Sequence, residues 1–368
     1  MSEVSQTWPD SRIQELFGID VPILLAPMAG AALSELAVAE AGGLGSLPCA
    51  MLNPEQIRAE VGKFRQLVSG RPVNLNFFCH RPPEIDPERE AAWKARLANY
   101  YLELGLDPNT PVAASSRRPF DGASCDLVVE LKPEVVSFHF GLPDEKLLNR
   151  VKGAGAKILS SATTVDEARS LESRGCDAII AQGYEAGGHR GMFLNQDVST
   201  QVGTLALVPQ VVDAVKVPVI AAGGIGDARG IVAALALGAS GVQLGTAYLF
   251  CPEALIRPVH LQALKRAKDK ETELTNIFSG RPARGIVNRL VREVGPMSEL
   301  APEFPLAAGA IAPLRSKSEA SGSEDFAQMW SGQSARLGRE MPARELTRML
   351  AHDALERLGA LAKSATVR

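Results

Sequence analysis

The sequence predicts an α/β protein: a (β/α)8 TIM barrel carrying a smaller, mostly helical cap. Three observations carry that prediction. Short β-rich apolar runs alternate with helical patterns eight times within roughly 250 residues, the size of such a barrel. Glycine-rich loops follow the last two runs, where barrels often bind phosphate. Two segments, 82–130 and 252–368, fall outside the repeat. A doubly wound sheet is the rival fold, but its glycine fingerprint follows the first strand, and no GxGxxG occurs there.

Residues 21–26 read as the first strand, and 34–41 as a helix with Ser34 as N-cap. Residues 45–47 and 73–78 follow as strands two and three, with a helix near 55–68 between them. Strands four to eight fall at 135–140, 157–160, 178–181, 217–222 and 241–245. Helices starting near Asp144, Val165, Leu205 and Asp227 fill the intervals. On this reading 1–81 and 131–251 form the barrel, 82–130 is an insertion, and 252–368 is a C-terminal region. Both extra segments leave from the C-terminal side of strands, the face on which barrel active sites are built. They are expected to pack together as a helical cap over the mouth, with outer decoration as the alternative. Arg315-Ser-Lys-Ser-Glu-Ala-Ser-Gly-Ser-Glu324 is of low complexity and reads as a mobile loop.

Composition narrows the function classes. Hydrophobic residues make up 46% and charged residues 22%, as in ordinary soluble globular proteins. The net charge of −3 gives no electrostatic footprint for nucleic acid. The first ten residues lack the basic and apolar regions of a secretion signal, and no apolar run is long enough to span a bilayer. Cys49, Cys79, Cys125, Cys176 and Cys251 form no CxxC pair and no metal spacing, which fits reduced thiols in a cytoplasm. Cys49 and Cys79 lie near strand ends and could face a ligand, or could be inert buried thiols. The histidines are not clustered at ligand spacings, so no metal is expected.

The stretch Ala181-Gln-Gly-Tyr-Glu-Ala-Gly-Gly-His-Arg-Gly191 is the most informative. It follows the sixth strand, and its glycines let the backbone turn tightly and approach a ligand. Gln182, Glu185 and His189 sit among them. A surface turn with an ordinary histidine is the alternative. After strand seven comes Gly223-Gly-Ile-Gly226, with Asp227 opening a helix, and after strand eight come Gly245 and Thr246. Bare backbone N–H groups and a helix N-terminus attract an anion there, so a phosphate-bearing ligand is expected. The strand ends place Ala26, Pro27, Met28, Asn76, His139, Gln182 and Gln243 at the mouth. A phosphate beside several amides suits flavin mononucleotide, whose ring edge Asn and Gln can hydrogen-bond. A packed core histidine is the alternative for His139.

These residues carry a family resemblance. Leu25-Ala-Pro-Met-Ala-Gly30, Asn74-Leu-Asn-Phe-Phe78, Ser137-Phe-His-Phe-Gly-Leu-Pro143, Gln182-Gly-Tyr-Glu-Ala-Gly-Gly-His-Arg-Gly191, Ala221-Ala-Gly-Gly-Ile225, Gln243-Leu-Gly-Thr246 and Phe278-Ser-Gly-Arg-Pro-Ala-Arg284 occur in that order. The chain resembles the nitronate monooxygenases, formerly called 2-nitropropane dioxygenases, in a class I-like pattern. The resemblance implies FMN held by Asn76, Gln182, Gly187, Gly224 and the turn Gln243, Leu244, Gly245, Thr246. Ala26, Pro27, Met28, Gly188 and Gly223 complete the expected cofactor set. It further implies that His189 is the catalytic histidine and His139 a second one. Nitronates would be oxidised by O2 through the flavin to a carbonyl compound and nitrite, with propionate 3-nitronate a favoured substrate. The expected partners are therefore a small nitronate and O2, without nucleic acid or membrane, in a cytoplasmic monomer or homodimer. An FMN-dependent NAD(P)H:quinone or enoyl-thioester reductase is the alternative on the same barrel, and a sensor of phosphorylated metabolites is a second. The tail departs from the family pattern, with Phe326 and Trp330 where some members have tyrosines and no nearby lysine. Their spacing of four predicts one shared helix face.

Overall fold

The computed structural model describes residues 7–33, 38–112 and 117–366. The apolar runs form β1 (Ile23–Leu25), β2 (Gly45–Pro48), β3 (Val73–Phe78), β4 (Val135–His139), β5 (Lys157–Ala162) and β6 (Ala178–Gln182). After them come a two-residue β7 (Gly188–His189), then β8 (Val219–Ala222), β9 (Gly241–Leu244), β10 (Thr272–Thr275) and β11 (Ala283–Ile286). Eight of these make one parallel sheet in the order β1-β9-β8-β6-β5-β4-β3-β2. Its two ends meet at a parallel bridge between Leu24 and Leu44. There Leu44 N–H donates to the Ile23 carbonyl at 3.0 Å, and Leu25 N–H donates to the Leu44 carbonyl at 3.0 Å. The expected barrel is closed.

Side chains along each strand alternate between the barrel interior and the surrounding helices. Leu24, Leu44, Val135, Leu159, Ile180 and Ile220 fill the interior, and Ile13 and Phe17 of the helix Arg12–Phe17 plug its floor. Val73, Leu75, Val136, Ile179, Val242 and Leu244 face the helical layer. The same parity brings the last inward residue of each strand to the mouth.

The helices Pro87–Glu103 and Ala307–Ala320, one from each extra segment, share a separate core with Trp93, Leu97, Tyr101, Phe278, Ile311 and Leu314. Trp93 Nε1–H donates to the Ala307 carbonyl at 3.3 Å, and the Tyr101 hydroxyl donates to that of Ala310 at 2.6 Å. Two other helices from those segments pack on the barrel layer instead. Gly122–Leu131 does so through Cys125, Leu127 and Val128, and Ala343–Thr366 through Leu346, Leu350 and Ala354.

Two local expectations are corrected. Residues 315–320 are helical rather than a mobile loop, because Leu314 and Ser318 share the buried face of Ala307–Ala320. The Ser318 hydroxyl also donates to the Ser323 carbonyl at 2.9 Å, which fastens the following turn. Of the helix expected at 34–41, Val38–Ala41 forms a single 3-10 turn, and Ser34 lies outside the described residues. Among the described residues no helix is long and apolar enough to cross a membrane.

Candidate active site

A cavity of about 850 Å³ occupies the C-terminal mouth of the barrel. Ala26, Pro27, Met28, Asn76, His139, Gln182 and Gln243 line it from the strand ends. Gly187, Gly188, His189, Gly223, Gly224, Gly245 and Thr246 line it from the loops. Leu244 does not line it. Strand alternation turns that side chain outward into the helical layer, while its carbonyl accepts Ala26 N–H at 2.8 Å.

β7 belongs to a second sheet, β10-β11-β7, in which His189 lies opposite Ala283 and Gly188 opposite Arg284. This pairing joins the two most distinctive motifs of the sequence. It also puts His189 Nε2 2.8 Å from the Ser279 hydroxyl. That hydroxyl donates to the Arg281 carbonyl at 3.3 Å, so towards His189 it accepts. Nε2 then carries the ring proton and Nδ1 the lone pair. Burial, reinforced by the charges of Arg117 and Arg281, holds the His189 pKa well below the usual histidine value. Phe304 and Trp330 wall the ring, with centroids at 5.3 and 5.4 Å.

His139 has both ring nitrogens engaged. Nε2 faces the His189 carbonyl at 3.2 Å and must donate to it, and Nδ1 meets the Ser161 hydroxyl at 3.1 Å. Burial, with Arg281 nearby, brings its pKa down to about 3. Gln182 supports the same carbonyl: its Nε2 donates to His189 O at 3.0 Å, and its Oε1 accepts Gly191 N–H at 2.7 Å. Asn76 Nδ2 donates to the Ser137 hydroxyl at 2.9 Å, which fixes that amide at the mouth.

The glycine loops form a cradle. Gly223 and Gly224 have φ of 111° and 70°, and a Cβ on Gly223 would lie 3.0 Å from Ala186 N. A Cβ on Gly187 would sit 2.5 Å from Gly332 N, and Gly332 N–H donates to Thr246 Oγ1 at 2.9 Å. The C-terminal region thus lies directly on the loops. Glu185 is turned away from the cavity: its carboxylate accepts Thr204 N–H at 2.8 and 3.0 Å and caps the helix Thr204–Ala214. Asp227 likewise accepts Arg229 N–H at 2.9 Å at the start of the next helix. The bare glycine turn, rather than that helix N-terminus, is what faces the cavity.

Phe326 and Trp330 do not share a helix. Residues 329–331 run antiparallel to β11, through Ile286 N–H to the Met329 carbonyl at 2.8 Å and the bridge between Trp330 and Gly285. Phe326 is buried in the second core beside Tyr100, and Trp330 lines the cavity. Ser161, Ser279, Arg117, Arg281 and His80 were not singled out in the sequence. Strand parity marks Ser161 two residues beyond Leu159, and Ser279 and Arg281 lie inside the quoted Phe278-to-Arg284 block. His80 packs behind the site, 4.8 Å from Phe304. None of the five cysteines lines the cavity, and all five are unpaired.

Residues 10–353 match the nitronate monooxygenase family. The chain belongs to that family. It is 42% identical over 348 residues to the nitronate monooxygenase of Pseudomonas aeruginosa, covering 93% of this chain and 98% of the relative. The crystal structure of a nitroalkane oxidase from Streptomyces ansochromogenes superposes with a TM-score of 0.85 at 36% identity, over 95% of this chain and 100% of that one. FabK from Thermotoga maritima follows at 0.72 and 28%, over 96% and 98%. Membership in the nitronate monooxygenases makes the chain an oxidoreductase and supports nitronate oxidation as its general activity.

Proposed function

We propose that this nitronate monooxygenase binds one FMN in the barrel mouth and oxidises alkyl nitronates, such as propionate 3-nitronate, with O2 to a carbonyl compound and nitrite. The residues present fit the cofactor. Gly223 and Gly224 make a cradle that a Cβ would crowd, Thr246 adds a hydroxyl, and Asn76, Gln182 and Gln243 present amides at the strand ends. The cavity volume of about 850 Å³ lies within the usual range for ligand and cofactor sites. Residues 26–28, Gly187, Gly188 and Gly245 complete the wall. Bound FMN would supply a ring that takes up electrons and passes them to O2.

The observation that carries the reading is the 2.8 Å contact of His189 Nε2 with the Ser279 hydroxyl. It leaves Nδ1 as the lone-pair nitrogen of a ring that burial keeps neutral, with Arg117 on the cavity wall and Arg281 behind it. With a neutral nitroalkane, Nδ1 accepts the α-proton, and the guanidinium charges stabilise the anion left behind. With a preformed nitronate, the same charges attract the anion, and the ring and Trp330, which line the cavity, fix its position. His139 acts at one remove, by holding the His189 backbone. Its own nitrogens are both occupied, so it serves as a positioning residue.

The packing supports a cap made of Pro87–Glu103 with the region that contains β10, β11 and Ala307–Ala320. Unpaired cysteines support a reducing cytoplasm. Oxygen uptake with stoichiometric nitrite release from a nitronate tests the activity. NADH oxidation without nitronate turnover would favour the alternative, an FMN-dependent quinone or enoyl-thioester reductase.

A further inference from the structure

Arg190 follows His189 in the chain and is fully buried. It and Gln182 hold each other. The Gln182 side chain grips the backbone on either side of Arg190, at His189 O and Gly191 N–H, while Arg190 Nη2 donates to the Gln182 carbonyl at 2.8 Å. Arg190 Nε donates to Gln201 Oε1 at 2.8 Å, and among the described residues Nη1 has no hydrogen-bond partner. Burial, with Arg284 alongside, brings the Arg190 pKa down to about 10, which leaves it charged at neutral pH.

Gln201 passes the contact on. Its Nε2 donates to Thr163 Oγ1 at 3.0 Å, and that hydroxyl donates to Glu167 Oε2 at 2.7 Å. The amide and the hydroxyl are thus aligned head to tail between a buried cation and a buried anion, so each bond polarises the next. Glu167 is the third residue of the helix Val165–Ser173, where a carboxylate usually serves only its own helix end. Here it keeps one oxygen for the loop instead. Oε1 accepts Phe193 N–H at 2.6 Å and Leu194 N–H at 3.2 Å. The chain of bonds therefore leaves the loop at Arg190 and returns to it at Phe193 and Leu194, just past His189. Thr163, Glu167, Arg190 and Gln201 do not line the cavity.

We propose that Arg190, Gln201, Thr163 and Glu167 act as one set of positioning residues, which clamps the segment after His189 and so fixes the ring at the cavity. The proposal rests on the role given to His189 above. None of the four touches the substrate, and their effect reaches the reaction only through the backbone that carries the ring.

The test cuts the relay at its uncharged middle. Gln201 is half-buried and lies away from the cavity, so Gln201→Ala should fold even if variants at the two buried charges do not. On the FMN-loaded enzyme, kcat with neutral nitroethane should fall about tenfold or more, because proton abstraction is sensitive to small displacements of the base. KM and FMN retention should hold, and turnover of the preformed nitronate should fall less. Hydrogen exchange read by mass spectrometry should quicken at residues 190–194 and stay unchanged at the glycine turn 223–226. Glu167→Gln should behave alike, and the double variant should lose no more than the larger single loss, as expected within one circuit. Unchanged kcat in Gln201→Ala, or losses that multiply in the double variant, overturns the proposal. If the wild type turns over neither substrate, exchange decides alone. Faster exchange at 190–194 in Gln201→Ala then keeps the clamp and overturns the reaction assigned to His189, whereas unchanged exchange overturns the clamp.

Discussion

His139 donates through Nε2 to the backbone carbonyl of His189 at 3.2 Å, and Gln182 donates to the same oxygen at 3.0 Å. Two side chains from β4 and β6, the strands on either side of β5, thus hold the backbone of the residue whose ring faces the cavity. The ring itself is set from the other side, by Ser279.

His189→Asn distinguishes the two tasks open to that ring. If Nδ1 removes the α-proton, turnover of a neutral nitroalkane should fall at least about a hundredfold while the preformed nitronate is largely spared. Loss of both activities with FMN retained makes the ring a positioning and electrostatic element. A variant fully active on both substrates would show that His189 has neither role. Ser279→Ala frees the ring proton to move to Nδ1, so it should lower nitroalkane turnover more than nitronate turnover.

The protein should purify yellow, and denaturation should release FMN rather than FAD. Gly224→Val should weaken FMN retention by about tenfold or more, measured by fluorescence titration. At φ 70° a β-branched residue is strained, and its Cβ would lie only 3.3 Å from Glu185 Cβ. Unchanged FMN affinity would remove the cradle from the site.

Phe326 and Trp330 should separate cleanly. Phe326→Ala opens a hole in the second core and should cost about 3–5 kcal/mol of stability in denaturant titrations. Trp330→Ala removes the wall beside His189 and should change KM before it changes stability. The opposite pattern would exchange their assignments.

Stability should fall on the acid side. Burial lowers the pKa of His80 to about 4, His139 to about 3 and His260 to about 4. Below the unfolded value near 6.5, the unfolded chain binds protons that the native chain refuses, so stability present at neutral pH is lost as pH falls. Each such histidine contributes up to about 1.4 kcal/mol per pH unit, down to its folded value. Thermal unfolding should therefore be steady above pH 7 and drop between pH 6.5 and 4. His260→Gln should flatten part of that slope, and a flat wild-type profile would refute the buried-neutral assignment.

Much of the barrel was legible because its strands are short apolar runs of fixed parity. Parity alone brings Asn76, His139, Gln182 and Gln243 to one mouth, and it also explains why Leu244 misses it. The glycine turns were visible for the same local reason. Ser279 and Trp330 were not, because their roles come from antiparallel pairings on β11, which joins His189 to Ala283 and Trp330 to Gly285 across long stretches of sequence. A spacing of four suggested a helix for Phe326 and Trp330, and the ladder offered by β11 overrode it. Arg117 lies within the insertion, between the helices Pro87–Glu103 and Gly122–Leu131, where no helical or strand pattern places it.

Among the described residues β7 pairs in its sheet with β11 alone, which lies after the barrel is complete. A hybrid joining this barrel to a relative's tail after residue 252 would import both the strand that seats His189 and the hydroxyl that sets its proton. Such a hybrid would keep the glycine loops of one parent and take its histidine chemistry from the other.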